Sequence, residues 1–146
     1  MAQIRSADVT WQGDLVAGSG TIDYVGSGAF SRMPVTWHAR TEASDGQTSP
    51  EELLAAAHAS CFSMALASRL AKAGHPASRL TVRATVTFDK GEAGWKVASS
   101  ALRVEGTVPG MADGEFQALA LDARDNCPIS QALKGNVELR VEARLA

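Results

Sequence analysis

Cysteine is scarce in this 146-residue chain: only Cys61 and Cys127 occur. No Cys-x-x-Cys and no His-x-x-x-His appears, and His38, His58 and His75 are dispersed. A zinc site built from close-spaced ligands is therefore not expected; the one local pair is His58 with Cys61, three apart on one helical face. No flavin, haem or nucleotide motif is visible, so any chemistry is expected to be cofactor-free. Basic residues form no run and the formal net charge is -2, which gives no support for nucleic-acid binding. No uninterrupted apolar stretch approaches the ~20 residues that cross a bilayer, and Met1 to Asp8 lacks the apolar run of a signal peptide. A cytosolic location without membrane partners follows as the expectation. In a reducing compartment two cysteines serve catalysis, redox change or burial more often than permanent stapling. No linker, low-complexity tract or repeat divides the sequence, which predicts a single domain over 1–146.

What is present is an ordinary globular composition, 45% hydrophobic and 21% charged, in a chain long enough to bury a core. The first third predicts strands over Ile4–Trp11, from Gly18 to Tyr24 and over Val35–Arg40, with turns at Gly-Ser-Gly and Gly26-Ser-Gly28. Ser49-Pro50-Glu51-Glu52 then carries a helix start: a capping serine, proline at the first helical position, and glutamate three residues after the cap. Leu53 to Lys72 contains no glycine or proline and is rich in alanine and leucine. It is apolar nearly all round to Ala67, the pattern of a helix enclosed by the fold or by another subunit. Gly74 and Pro76 end it. Leu80, Val82, Ala84, Val86 and Phe88 alternate with polar residues, as do Leu102 to Val108 and Val137 to Ala143, which reads as antiparallel sheet with one wet face. A helix is predicted over Gly114–Ala123. The fold class is α+β, a curved antiparallel sheet packed around buried central helices.

Cys61 lies well inside the apolar helix, where burial alone accounts for a free cysteine. Cys127 stands in Asp125-Asn126-Cys127-Pro128-Ile129-Ser130, with Pro128 suited to the first position of a new helix. Cys127 is then its N-cap, beside unpaired backbone N–H groups that stabilise a thiolate. One cysteine in a helix and one at a helix start suggest a thiol pair. Peroxide reduction needs a thiolate, a group to activate it, and a means of removing the sulfenic acid formed. Arginine suits activation because it is always charged and donates several hydrogen bonds. Arg40 with Glu51 is one candidate pair, and Arg69 and Glu52 serve equally on composition.

The stretch Pro50-Glu-Glu-Leu-Leu-Ala-Ala-Ala-His-Ala-Ser-Cys61-Phe-Ser-Met-Ala-Leu is very similar to the first cysteine motif of the OsmC/Ohr family (osmotically inducible protein C and organic hydroperoxide resistance protein). Cys127-Pro-Ile-Ser-Gln-Ala-Leu resembles its second motif. Trp11-x-Gly-Asp and Val108-Pro-Gly also fit, so the likeness spans nearly the whole chain and is closest to the OsmC branch. The resemblance implies a peroxidase of organic hydroperoxides, and more weakly of hydrogen peroxide. Cys61 would be oxidised to a sulfenic acid, Cys127 would resolve it as a disulfide, and an external dithiol would restore both thiols. It also implies Glu51 as the carboxylate that orients an arginine, Arg40 as that arginine, and an intertwined homodimer with active sites at the subunit interface. Phe62, Met64 and Met33 are candidates to line an apolar substrate pocket.

Ten residues along an unbroken α-helix place Glu51 and Cys61 about 15 Å apart on different faces. The helical run is therefore expected to break into two, or Arg40 to bridge the gap. Two other classes stay open: a non-catalytic dimeric α+β protein whose cysteines only pack, and a hydrolase or transferase using Cys61 with His58. The latter also needs an orienting acid and an oxyanion site.

Overall fold

A computed structural model describes all 146 residues. The elements are β1 (Ala7–Gln12), β2 (Ser19–Val25), β3 (Ser31–Val35), α1 (Trp37–Thr41), α2 (Pro50–Lys72), β4 (Arg79–Gly91), β5 (Gly94–Thr107), α3 (Asp113–Asn126), α4 (Pro128–Leu133) and β6 (Glu138–Leu145). The chain divides into two units, Met1–Leu53 and Leu54–Ala146.

The first unit is an antiparallel meander in the order β1-β2-β3. Its third strand is Ser31–Val35, and the expected extension to Arg40 is replaced by α1. Thr36 makes the switch: it is extended, and its hydroxyl oxygen accepts the Ala39 N–H at 3.1 Å, capping the short helix. Across six residues, apolar positions two apart suit a strand or a single helical turn equally, and the cap decides between them. Pro34 lies on β3, an edge strand, where proline is tolerated. Ile22 and Ala39 are the buried apolar residues of this unit, while Val9, Trp11 and Tyr24 stay exposed.

At the start of α2, Ser49 Oγ accepts the Glu52 N–H at 3.1 Å and Ser49 O accepts the Leu53 N–H. The Glu52 carboxylate completes no capping box: it accepts the Thr48 hydroxyl instead, at 3.1 Å. The helix then runs unbroken to Lys72, so the expected split is absent. Gly74, at φ +83°, ends it, with His75 N–H bonded to Leu70 O. By length and composition α2 could cross a membrane, with a mean hydropathy of 1.3 over its most apolar window. This corrects the expectation that no segment is apolar enough, because alanine, serine and a single histidine barely dilute so long a helix. Yet α2 contributes a stripe of core at four-residue spacing: His58, Phe62, Leu66 and Leu70 are fully enclosed.

In the second unit the sheet order is β4-β5-β6. β4 and β5 form a long antiparallel hairpin closed at Gly91 and Gly94, with an irregularity between Thr87 and Phe88. The expected alternation holds on β4, whose Leu80, Val82, Ala84, Val86 and Phe88 face inward. β6 departs from the antiparallel expectation by running parallel to β5. A parallel return needs a crossover, and α3 and α4 supply it. α3 is three residues longer at its C-terminal end than expected. Phe62, Leu66 and Leu70 of α2, Leu102 and Val104 of β5 and Phe116 of α3 lie at the centre of the core. The class is α+β.

Candidate active site

Sequence-derived site residues fall into two groups, one in each unit. In the first unit, α1 presents Arg40 and the first turn of α2 presents Glu51. Arg40 Nε lies 3.1 Å from both carboxylate oxygens and Nη2 lies 2.7 Å from Oε1, a forked charge-assisted pair. Glu51 is 8% exposed, so this carboxylate is held almost out of water with its partner in place. The Arg40 guanidinium also lies 5.9 Å from the Trp37 ring centroid, within cation–π range. The two alternatives that composition left open have other partners: Arg69 pairs with Asp122, and Glu52 takes the Thr48 hydroxyl.

Beside this pair is a cavity of about 440 Å³ lined by Trp11, Leu15, Val35, Thr36, Trp37, Arg40 and Pro50. It is an apolar recess with one fixed cation in its wall. The pocket residues expected from sequence are placed differently. Phe62 is fully buried in the core of the second unit, Met64 is exposed on α2, and Met33 is exposed on β3. The tryptophans and Leu15 were not singled out for this role, because a lining drawn from a strand, a loop and a short helix leaves no periodic signal.

In the second unit Cys61 is partly exposed on α2 and Cys127 is fully buried; both are free thiols. The two thiols lie close enough for Cys127 to bear on the ionisation of Cys61, and the Ile129 backbone acts on Cys61 as well. Burial pushes the Cys61 thiol above its ordinary pKa. The Ile129 backbone opposes this, and the nearby Cys127 adds to the rise. None of these influences is cationic. A thiolate at Cys61 therefore calls for a positive partner. Cys127 caps α4 as expected: its Sγ accepts the Ser130 N–H at 3.3 Å, and Pro128 fills the first helical turn.

His58, read from sequence as a neighbour of Cys61, has both ring nitrogens committed elsewhere. Nδ1 lies 2.6 Å from Ser100 Oγ and Nε2 2.7 Å from Ser130 Oγ. Those two bonds leave no ring nitrogen for the Cys61/His58 dyad that a hydrolase requires. Ser100 and Ser130 were not singled out from sequence. The available signal is that Ser100 is in phase with Leu102 and Val104 on the inward face of β5, a polar residue where the pattern demands an apolar one.

Comparison with known proteins identifies the family. Residues 42–142 match the family model of the OsmC-like proteins. The chain is 40% identical to the peroxiredoxin OsmC of Escherichia coli K12 over 135 residues, covering 92% of this chain and 93% of that one. It is 36% identical over 97 residues to the organic hydroperoxide resistance protein OhrA of Bacillus subtilis, covering 65% and 66%. Among solved structures, the organic hydroperoxide resistance protein OhrB of Bacillus subtilis superposes with a TM-score of 0.73 at 26% identity, covering 95% of this chain and 98% of that one. The shared fold, the matched length and the two cysteine motifs converge on one assignment: the chain belongs to the OsmC-like protein family.

Proposed function

We propose that this chain is a thiol-dependent peroxidase that reduces organic hydroperoxides, and more weakly hydrogen peroxide, to alcohols or water. The observation that carries the reading is that the only two cysteines of the sequence are free thiols lying close enough for one to bear on the ionisation of the other. Cys61, the more accessible, attacks the outer oxygen of the peroxide; the alcohol leaves and Cys61 becomes a sulfenic acid. Cys127 attacks that sulfur, water leaves, and a Cys61–Cys127 disulfide forms. An external dithiol then reduces it. The names of the relatives, a peroxiredoxin and organic hydroperoxide resistance proteins, support the substrate class.

In this mechanism Arg40, oriented by Glu51, supplies the positive charge that Cys61 lacks, and the adjoining apolar recess takes the organic tail of the substrate. Because α2 is unbroken, about 15 Å of helix rise lies between Glu51 and Cys61. We therefore assign the Arg40–Glu51 pair to the Cys61 of a second copy, in a homodimer. Supporting this, only 22% of the most apolar window of α2 is buried within one chain, and Val9, Trp11 and Tyr24 of the meander are exposed. The two units then act as one functional domain over 1–146. A cytoplasmic location belongs to the same reading, since the cycle depends on an intracellular supply of dithiol.

The test is intact mass with thiol counting before and after one equivalent of an organic hydroperoxide. The expected result is a mass lower by two hydrogens and loss of both titratable thiols, reversed by a dithiol. An unchanged mass with two unreactive thiols returns both cysteines to a packing role and sinks the reading.

A further inference from the structure

His58 is wholly enclosed on the core stripe of α2, and the catalytic steps above make no use of it. As a core histidine it needs only satisfied nitrogens. The structure provides more than that. Ser130 Oγ, 2.7 Å from His58 Nε2, lies 3.2 Å from Cys127 Sγ. Ser100, His58, Ser130 and Cys127 are all fully buried. A fully buried line of hydrogen bonds thus joins an imidazole to the thiol that must become nucleophilic when the disulfide closes.

We propose that His58 is the proton acceptor for Cys127 during disulfide closure, acting through Ser130. The proposal rests on the peroxidase reading and adds a positioning residue to its second step. At rest the Cys127 thiol donates to Ser130 Oγ, the Ser130 hydroxyl donates to His58 Nε2, and His58 Nδ1–H donates to Ser100 Oγ. As Cys127 attacks the Cys61 sulfenic sulfur, its proton passes to Ser130 while the Ser130 proton passes to Nε2. The S–S bond forms and the S–O bond breaks, its electron pair leaving with hydroxide. The imidazolium then gives up one proton to solvent, which balances that hydroxide as one molecule of water. Cys61 sulfur is reduced from the sulfenic state and Cys127 is oxidised, so no further oxidant is needed.

The surroundings fit both protonation states. Serine oxygens accept as well as donate, so an imidazolium finds an acceptor for each N–H in Ser100 and Ser130. After transfer the new Ser130 hydroxyl and the Ser130 backbone N–H, 3.3 Å away, both point at the thiolate. The groups facing the ring are Ser100 from β5 and Ser130 from α4, with Cys127 behind Ser130; Cys61 lies three residues along α2. None is a carboxylate or a basic side chain. Burial lowers the His58 pKa below its ordinary 6.5, so the ring rests as the neutral acceptor.

The test separates the two chemical steps. The full-length protein is oxidised with cumene hydroperoxide, and samples are quenched over time with dimedone and a thiol alkylator. Mass spectrometry then reads Cys61 oxidation and disulfide closure as separate rates from about pH 5.5 to 9. The wild-type closure rate should be flat above neutrality and fall only where His58 takes up a proton. In His58→Gln and Ser130→Ala, closure should instead climb about tenfold per pH unit, because the thiol must then lose its proton to solvent before it attacks. It should trail the wild type by about tenfold or more at pH 7 and converge with it near pH 9. A structural role would slow closure by the same factor at every pH, and that outcome overturns the proposal, as does no slowing at all. A wild-type profile that itself climbs tenfold per unit overturns it without any variant, which keeps the test decisive if a variant fails to fold. Wild-type protein that cumene hydroperoxide never oxidises fails at the earlier step and takes the peroxidase reading down with it.

Discussion

Cys61 and Cys127 are chemically unequal although they lie close together. Cys61 is partly exposed and its thiol is pushed up by burial, whereas Cys127 is enclosed and tied into the Ser130–His58–Ser100 line. Cys61→Ser should abolish hydroperoxide reduction outright. Cys127→Ser should consume one equivalent and stall as a protein heavier by one oxygen, read by intact mass. Arg40→Met should slow Cys61 oxidation by about 100-fold, the usual cost of removing a preorganised charge donor, while leaving disulfide closure untouched. Stopped-flow tryptophan fluorescence can separate the two phases. His58 also links stability to pH. Its folded pKa lies below the unfolded 6.5, so the unfolded chain binds the extra proton first. Stability is complete above about pH 6.5 and declines as pH falls through the folded value. Urea midpoints should drop across that acid range in the wild type, and His58→Gln should flatten this part of the curve.

α2 illustrates how one element serves several ends. Its first turn carries Glu51, its middle carries His58 and Cys61, and its core stripe carries Phe62, Leu66 and Leu70. Serine at position 49 supplies the cap, so Ser49→Ala should cost about 1 kcal/mol in urea unfolding. β5 and α3 meet at a tighter point. A Cβ on Gly106 would lie 2.6 Å from Cζ of Phe116, a fully buried ring with no room to retreat. Gly106→Ala should therefore destabilise by about 1–3 kcal/mol through overpacking, although the backbone there needs no glycine conformation. The check is a lowered denaturation midpoint with an unchanged m value.

At the scale of the molecule, a single copy leaves much of its apolar surface uncovered. Met64, 71% exposed on α2, and Val9 and Tyr24 on the meander are in this condition. In a homodimer these residues have a natural cover, and the thermal midpoint should then rise with protein concentration. Light scattering coupled to gel filtration should give twice the chain mass of 15.3 kDa. Met64→Glu should weaken that association by about tenfold or more while leaving Phe62 and Leu66 in place, since a charge on an apolar contact is lost only when the contact forms. A monomeric wild type at micromolar concentration would remove the source assigned to the activating arginine.

The sequence by itself determined the elements whose signal is local. The capped start of α2, its glycine stop, the strict alternation of β4 and β5, and Cys127 as the cap of a proline-started helix were all legible because each depends on neighbours within a turn or a pleat. The cysteine motifs were legible as a resemblance. Tertiary structure decided what depends on chain return. It made β6 parallel to β5, since periodicity reports which face is buried but not the direction of a partner strand. It turned Trp37–Thr41 into a helix through a single threonine cap. It paired Arg40 with Glu51 and Arg69 with Asp122, which composition alone could not do. It also gathered Ser100, His58, Ser130 and Cys127 from three elements into one buried line. Residues 30 or 40 positions apart carry no mutual pattern along the chain, and only folding reveals that their hydrogen bonds are satisfied by one another.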